Sequence, residues 1–577
     1  MFHLKSLSIP KLVAICAACL LFGLGTIPAR AADAVVGTGT AASCSEAAFD
    51  AALVAAQAGG GVITFNCGGP ATITFQTGKI VANAEVTIDG GGAVILSGLN
   101  KARHFYVDSD AALALRNITL SNGLDTTYGG GAVINLGELA LANTTIRNSN
   151  VDATHSGGAI MSLGPVTIDD STIENNSGGS AGGLYLFGEA ADATITNSTF
   201  RNNRTTSATY GLGGAITTWN GADLTVRGST LDQNSGRSGG AIYNESALTT
   251  IVVAADTMIS GNEATDDNGG GIYNVGGTLG LTDVTLAGNQ SRFVGGGIFN
   301  KSGSLTATNI VFNNNSAYVG GGGGVSNHDA SATLTNAIFR ENSSYSSGGG
   351  IGNGSSGILV VRDSTLANNT SEYGGGVSNS GVLSMFNVTI SGNSAFEQGG
   401  GVLNSGKLTL FNATISGNSG SDGGGLLGRG TINLVHVTFS ENESGIYQAG
   451  TGVFTLKNVL LHGSTDYNCQ VQSGPSAITS AGFNLSSDSS CPFNQTGDRV
   501  NVDPRLGPLA DNGGFSRTHM LLPDSPAIDA GQCVGNLPTD QRGLPRLQGS
   551  SCDIGALERQ PDDNDRAFLL FLPVGLK

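Results

Sequence analysis

The residues that could perform acid–base chemistry in this chain are few and widely spaced. Two adjacent carboxylate pairs, Asp169–Asp170 and Asp266–Asp267, fall in its central part. Hydrolysis of a glycosidic bond needs two carboxyl groups about 5–10 Å apart across the scissile bond. Asp169–Asp170 is predicted near a strand and Asp266–Asp267 in a loop before a glycine triplet. The pairs are the candidates if an active site exists, but they form no evident constellation, so we predict no catalytic residues.

The remaining side chains of catalytic type do not complete a site. Four histidines stand alone in the sequence and are predicted to be surface or turn residues: His155, His328, His436 and His462. No Cys-x-x-Cys or Cys/His spacing indicates zinc, and we predict no metal and no cofactor. The acidic run from Asp562 to Asp565 could hold calcium weakly, but a solvated linker is the preferred interpretation.

Composition excludes several classes of protein. The 577 residues include 90 glycines, only 12% are charged, and the formal net charge is −17. A basic nucleic-acid binder is excluded because phosphate contacts need stripes of Lys and Arg. A helical repeat is excluded because so much glycine cannot sustain long helices. The 39% hydrophobic content with regular spacing argues against disorder.

The first residues have the pattern of an export signal. A basic flank ends at Lys11, an apolar stretch runs from Leu12 to Leu24, and Ala29-Arg30-Ala31 is a small-residue cleavage pattern. The apolar stretch is too short to span a bilayer. We therefore predict a signal peptide over residues 1–31, a mature chain without a transmembrane span, and a secreted or cell-surface location.

Six cysteines remain beyond the leader and form three local pairs. Six cysteines allow fifteen pairings, so the sequence leaves connectivity open. Pairing of neighbours is favoured, since each would close a loop of roughly 20 residues and contribute about 3 kcal/mol in the chain-entropy model. The predicted disulfide cysteines are Cys44, Cys67, Cys469, Cys491, Cys533 and Cys552.

An internal repeat is the strongest signal in the chain. A Gly-Gly-(Gly/Ala)-aliphatic unit recurs about every 27 residues from Val133 to Leu426. Between these units lie alternating apolar runs that end in an aliphatic residue or Phe, two further residues and Asn. That asparagine never drops out, and we predict that its copies stack in one structural ladder. The ladder consists of Asn176, Asn203, Asn234, Asn262, Asn289, Asn315, Asn342, Asn369, Asn393, Asn418 and Asn442.

The repeat predicts an all-β fold. Stretches such as Leu408–Phe411 alternate with period two and indicate short strands, which glycine and Asn/Ser turns separate. Strands at this spacing can pair in parallel with their equivalents in the next coil, and the crossover rule makes the turn right-handed. We predict a right-handed parallel β-helix solenoid of about 13 or more coils.

Two caps are predicted at the ends of the array. Ser45–Ala58 is an amphipathic helix with Ala47, Phe49, Leu53 and Val54 on its apolar side, placed to cover the first edge strands. A segment richer in Pro, Asp and Arg follows the repeats and supplies an irregular, disulfide-stapled C-terminal cap. The predicted organisation is a signal peptide (1–31), an N-terminal cap (32–85), β-helix repeats (86–465), a C-terminal cap (466–558), and an acidic hinge with a short apolar tail (559–577).

These motifs resemble known families. The pair formed by Gly157–Ile160 and Phe200–Asn203 resembles the GGAI/FxxN repeats of chlamydial polymorphic outer-membrane proteins and the wider pectin-lyase-like superfamily. Leu522–Gly531 and Asp540–Gly543 resemble the choice-of-anchor Q domain of bacterial surface proteins. The resemblance implies a surface-displayed or secreted β-helix with an adhesin-like role. It also admits polysaccharide-active enzymes, although the Gly-His-Gly and Arg-x-Lys patterns of polygalacturonases do not occur in the chain.

We therefore expect a monomeric, adhesin-like binding or structural module whose partner is an extracellular glycan, matrix or surface protein and not a nucleic acid. The alternative is a polysaccharide lyase or glycoside hydrolase. Five aromatic residues after the glycine units could stack on sugar rings, but packing at the corner is the favoured interpretation: Tyr185, Trp219, Tyr243, Tyr273 and Phe299. An enzyme should cluster acids and a base on adjacent coils, whereas a binding rod should carry an exposed patch extended along its axis.

Overall fold

The structure is a computed structural model and describes residues 33–472 and 477–563. The predicted signal peptide and residues 564–577 of the predicted hinge and tail lie outside the described residues. Within them, the chain winds into a solenoid whose central coils contribute strands to three parallel sheets. The predicted all-β solenoid fold is confirmed.

Sheet I has 16 strands in the described part of the chain. In the central coils, its strand begins directly after the glycine unit. At about 4.8 Å per rung, it extends roughly 70 Å along the axis. Its strands are Lys79–Val81, Phe105–Val107, Val133–Asn135, Ile160–Ser162, Leu184–Phe187, Ile216–Trp219, Ile242–Asn244, Ile272–Val275, Ile298–Lys301, Val325–His328, Ile351–Asn353, Val377–Asn379, Val402–Asn404, Leu426–Gly428, Ile446–Gln448 and Cys469–Val471.

Sheet II is the widest face and has 26 described strands. Many coils bend within it at a residue of positive φ, such as Asn309 (φ 54°) and Asn336 (φ 50°), a conformation that asparagine tolerates better than most residues. Its strands are Ala34–Val36, Gly61–Phe65, Ala71–Thr74, Glu85–Ser97, Ala112–Ser121, Glu138–Ala142, Thr145–Arg147, Val166–Asp169, Thr172–Glu174, Ala193–Thr196, Thr199–Arg201, Leu224–Arg227, Thr230–Asp232, Thr250–Ser260, Thr278–Ala287, Ser304–Asn313, Ser331–Arg340, Ile358–Arg362, Thr365–Ala367, Val382–Ser391, Lys407–Ser416, Thr431–Ser440, Val453–Lys457, Leu460–His462, Ala477–Ser480 and Leu485–Ser486.

Sheet III is narrow, with 11 short strands in the described residues, and follows the asparagine turn of each coil. Its strands are Leu124–Asp125, Asn150–Val151, Ser177–Gly178, Arg204–Thr205, Ser235–Gly236, Glu263–Ala264, Gln290–Ser291, Ser316–Ala317, Ser343–Ser344, Thr370–Tyr373 and Ser394–Gln398. The other described elements are a 3-10 turn at Ala41–Ser43, helix α1 at Glu46–Gln57, and an antiparallel pair formed by Leu506–Ala510 and Thr518–Leu521.

The interior is filled by like side chains stacked on like. Ile272 pairs in register with Ile298, and Phe312 with Phe339, whose rings stack at 4.5 Å. All four side chains are fully buried. Parallel, in-register pairing produces this stacking, because equivalent residues of successive coils point to the same face.

The eleven repeat asparagines lie in one buried column from Asn176 to Asn442. Asn289 Nδ2 donates to Asn315 Oδ1 at 2.9 Å, and Asn315 Nδ2 donates to Asn342 Oδ1 at 3.0 Å. The same bond joins every successive pair in the column. Each acceptor oxygen also receives the backbone N–H of the preceding asparagine, so the ladder holds the turn as well as the register.

A second asparagine column runs through the other side of the interior, at the third position of the sheet I strands. Asn274 Nδ2 donates to Asn300 Oδ1, and Asn300 Nδ2 to Asn327 Oδ1, both at 2.9 Å. The bonded series extends from Asn244 to Asn404. This column was not predicted, although its signal, an asparagine two residues after the aliphatic residue of the glycine unit, is present in the repeats.

Helix α1 covers the first coils. Ser45 caps its N-terminus by accepting a hydrogen bond from Ala48 N at 3.3 Å, and Phe49 is fully buried against the Phe75 ring at 4.9 Å. The predicted apolar side is partly wrong. Val54 is 70% exposed and Ala47 is also exposed, whereas Ala52 and Ala56 are buried with Phe49 and Leu53. Positions 49, 52, 53 and 56 share one helical face, and that face meets the coil.

Three disulfides join the local cysteine pairs: Cys44–Cys67, Cys469–Cys491 and Cys533–Cys552. The first lies beside helix α1, the second at the last strand of sheet I, and the third within the C-terminal cap.

The C-terminal cap folds back along the flank of the last coils. Thr414 Oγ1 donates to Gln541 Oε1 at 2.7 Å, and Ala556 N donates to Thr438 Oγ1 at 2.9 Å. Arg542 is buried and forms ion pairs with Asp540 at 3.0 Å and Asp563 at 3.2 Å. Asp563, assigned by sequence to a solvated hinge, is thus buried in the cap, because it supplies a counter-charge to a guanidinium that water does not reach.

Candidate functional site

The carboxylate pairs singled out by sequence are engaged within the coils. Asp169 accepts a hydrogen bond from Thr196 Oγ1, and Asp170 occupies the positive-φ bend of sheet II. Asp266 forms a salt bridge with Arg292 at 3.0 Å, and Asp267 accepts from Ser238 Oγ at 2.9 Å. These contacts give each pair a structural role.

The histidines are spread over different surroundings. His155 pairs with Asp152 at 2.8 Å, and His328 lies edge-on to the Phe299 ring at 5.4 Å. His436 lies at the positive-φ bend of the sheet II strand Thr431–Ser440, so the predicted surface or turn position is wrong: it is fully buried beneath the cap and contacts Asn458 at 3.0 Å. Burial first, and then the Arg546 charge, hold the pKa of His436 well below its ordinary value.

The described residues contain no group of three or more His, Cys, Asp or Glu side chains arranged to hold a metal ion.

Four of the five aromatic residues singled out by sequence pack together on the outer face of sheet I, whereas Tyr185 stacks on the Phe187 ring at 6.4 Å. Tyr243 and Tyr273 are each 7% exposed and Phe299 is 5% exposed, with ring centroids 5.2 and 4.9 Å apart along the series. Burial is the main cause that raises the pKa of Tyr273 to about 12. The surrounding loops cover this cluster, and Trp219 packs against it. The rings therefore pack at the corner, as the favoured interpretation had it.

A different set of aromatic residues is exposed along sheet III. Tyr318 is 79% exposed, Tyr345 72% and Phe396 81%. Each lies three positions after a ladder asparagine and projects from the outer face, because the residue before it points into the interior. We call these three residues the aromatic column. Tyr318 and Tyr345 are one coil apart and Phe396 is two coils further, so the column extends about 14 Å parallel to the axis.

Hydroxyl groups line the same face beside the aromatic column. The residue one position after each ladder asparagine also points outward, which gives a polar column of Ser316, Ser343, Thr370 and Ser394. The register pairs Ser316 with Ser343, and Thr370 with Ser394, in adjacent coils. The two columns are two residues apart on each strand, so rings and hydroxyls stand side by side.

Carboxylates flank the aromatic column. In the coil between Tyr345 and Phe396, Glu372 occupies the position that is aromatic in those two coils. Glu397 follows Phe396 directly. The Glu372 carboxylate is the main cause that raises the pKa of the neighbouring Tyr373, and Glu397 adds to it. At the other end, a depression of about 350 Å³ borders Tyr318 and includes Glu263 and Arg292.

A cleft of about 390 Å³ lies across the loop from the aromatic column, on the outer face of sheet I. In the three coils after the buried Phe299, the position paired with it is taken by small residues: Ser326, Gly352 and Ser378. His328 and Asp329 border the cleft. Burial lowers the pKa of His328, and the Asp329 charge opposes this shift.

Comparison with known proteins bears on the fold. A family model described as right handed beta helix region matches residues 100–253. The fold is a right-handed parallel β-helix. No curated protein matches the chain. Among solved structures it is similar to the alginate lyase AlyF-OU02 in complex with G6, with 12% identity and a TM-score of 0.19, over 93% of this chain and 96% of that one. A likeness at this level carries no functional argument.

On this β-helix, the exposed rings and hydroxyls form an extended surface instead of a closed pocket. Rings that stand above a row of hydroxyl groups can stack on flat apolar faces while neighbouring hydroxyls exchange hydrogen bonds. This surface was not predicted from the sequence, where the aromatic residues after the glycine units are the more regular feature. The signal that could have found it is a bulky aromatic residue three positions after a ladder asparagine, in three of four successive coils.

Proposed function

We propose that this β-helix is a secreted or cell-surface, adhesin-like protein that binds a linear glycan along its axis. The observation that supports the proposal is the aromatic column, three exposed rings that stand in line beside a row of hydroxyls. A pyranose ring offers an apolar face and a rim of hydroxyl groups, and these two columns suit that combination.

The extended shape supports a chain as the ligand. Rings that repeat along the axis can hold successive sugar units of one chain, and several weak stacking contacts add to a useful affinity. A monosaccharide would meet only one ring on an open face and would gain little.

The covalent features support export. Three disulfides are typical of an oxidising compartment outside the cytosol. Within the described residues, no helix has both the length and the apolar character that crossing a membrane requires.

A glycan array, run in parallel with an activity screen on pectin and alginate, tests the proposal. The expected result is binding of one class of linear glycan without product release. The triple variant Tyr318→Ala/Tyr345→Ala/Phe396→Ala should lose this binding. The double variant Tyr128→Ala/Tyr210→Ala, which removes exposed tyrosines outside the aromatic column, should keep it.

Release of unsaturated or reducing products would contradict the proposal and favour a polysaccharide-active enzyme. The cleft that contains His328 and Asp329 would then be the first place to seek its base. Unchanged glycan binding by the triple variant would remove the aromatic column from the proposal.

A further inference from the structure

The surroundings of the aromatic column are acidic. The strands of sheet III from Glu263 onward, with the loops that follow them up to Asp422, contain a single cationic side chain, Arg292. The same segments carry six carboxylates: Glu263, Asp266, Asp267, Glu372, Glu397 and Asp422.

Some of these charges are already engaged. Arg292 is paired with Asp266, and Asp422 accepts a hydrogen bond from Gln398 Nε2 at 3.1 Å. Arg429 reaches this edge from sheet I and donates to Gln398 Oε1. Among the described residues, Glu372 and Glu397 form no salt bridge, and both stand next to Phe396. The column therefore combines exposed rings with two carboxylates that no salt bridge pairs.

We infer that the glycan bound at the aromatic column carries free amino groups, an inference that rests on the proposed function. An ammonium group is attracted to the faces of Tyr and Phe rings and to carboxylates beside them. A uronate chain would bring like charge to this surface, and the net charge of −17 adds to that repulsion. A neutral glycan would use the rings but place no cation beside Glu372 and Glu397.

Three sets of oligomers of equal length separate these possibilities: glucosamine oligomers, their N-acetylated counterparts and galacturonate oligomers. Calorimetric titration should show the glucosamine oligomers binding about tenfold more tightly than the acetylated ones, with an affinity that falls as salt is added. The galacturonate oligomers should not bind.

A charge-removing variant tests the role of the two carboxylates. Glu372→Gln/Glu397→Gln should lose most of the preference for free amines while its affinity for the acetylated oligomers stays within about twofold. Glu138→Gln, at an exposed position on sheet II, is the matched control and should keep the preference.

The outcomes separate this inference from the proposed function. Equal or tighter binding of the acetylated oligomers would overturn the amino-sugar inference and leave glycan binding intact. Absence of binding by all three sets would count against both. If a lysine oligomer bound more tightly than the glucosamine oligomers, the surface would be one for basic peptides and the inference would be wrong.

Discussion

The side-chain amide of Asn300 donates to the side-chain oxygen of Asn327 in the next coil, at 2.9 Å, in the buried interior of the solenoid. The oxygen of Asn300 accepts the same bond from Asn274. Each asparagine is thus both donor and acceptor, so the column satisfies its buried polar groups in series. With the ladder at the opposite turn, it fixes the register of successive coils from two sides.

Replacement of Asn300 by Ala is expected to destabilise the protein by about 3 kcal/mol. The substitution removes three hydrogen bonds, to Asn274, Asn327 and the Ser331 carbonyl, and leaves buried partners unsatisfied. Urea unfolding followed by circular dichroism measures the change. Lys301→Ala, at the next and exposed position, should stay within about 0.5 kcal/mol. Equal effects of the two substitutions would show that the column contributes nothing beyond packing.

Gly296→Ala is expected to cost more than about 3 kcal/mol or to prevent folding. A Cβ at this corner would lie 2.5 Å from Gly323 O and 2.5 Å from the backbone of Ser316, and neither can move without breaking a rung. Gly280→Ala is the control, because the nearest atom to its Cβ is Ile251 O at 3.9 Å. Soluble yield and thermal unfolding of the two variants provide the comparison. A Gly296→Ala protein as stable as the control would mean that the corner is not tightly packed.

His104→Gln is expected to reduce the sensitivity of the fold to acid. Burial lowers the pKa of His104 to about 4, below its ordinary value of 6.5, so the unfolded chain takes up a proton first as pH falls. The stability that this group supports is complete above about pH 6.5 and is lost toward pH 4, by about 3 kcal/mol.

Glutamine can keep a hydrogen bond to the Leu96 carbonyl, which His104 Nε2 contacts at 3.0 Å, and it does not titrate. Unfolding measured between pH 4 and pH 7.5 for both proteins gives the difference directly. If the free energy of unfolding depended on pH in the same way in both proteins, the predicted role of His104 would be wrong.

Gln541→Leu is expected to loosen the C-terminal cap while the coils remain folded. Gln541 is fully buried and joins the cap to the rod through Thr389 and Thr414, at 2.9 and 2.7 Å. Its loss removes both bonds and leaves the Thr414 hydroxyl without its acceptor, while Thr389 still donates to the Arg517 carbonyl, at a cost of about 2 kcal/mol. Limited proteolysis should cut the cap sooner than in the parent protein. Gln548→Leu, at an exposed position of the same cap, should not change the digestion pattern.

Tyr345→Ala is expected to weaken glycan binding by about 1 kcal/mol, roughly fivefold, because it removes one stacking ring from the middle of the aromatic column. Calorimetry or surface plasmon resonance with the glycan found on the array measures the change. Tyr345→Phe should retain nearly all of the affinity, since the ring remains. A loss as large in Tyr345→Phe as in Tyr345→Ala would assign the contact to the hydroxyl group instead.

The sequence predicted the fold because the fold is a repeat. A parallel solenoid places equivalent residues in contact, so periodicity along the chain becomes adjacency in space, and the spacing from Asn289 to Asn315 translates into one hydrogen bond. Exposed positions have no such constraint. The position of Tyr318 and Tyr345 is aromatic in only part of the array, so its signal is weaker than that of the ladder asparagines.

Contacts between the repeats and the C-terminal cap could not be predicted from the repeat pattern either. The docking of Gln541 on Thr414 joins residues 127 positions apart, with no periodic signal to link them. The burial of Asp563 depends on Arg542 in the same way. In helix α1, the apolar residues are compatible with more than one buried face. Packing against the first coils selects the face that leaves Val54 exposed to water.

The C-terminal cap forms hydrogen bonds with late coils, from Asn387 onward, and helix α1 contacts strands of the first coils. A complete turn inserted between them would therefore disturb neither end, provided that it carried both asparagines. Gene duplication could lengthen such a molecule in fixed increments of about 4.8 Å. The number of coils then sets the distance between helix α1 and the C-terminal cap.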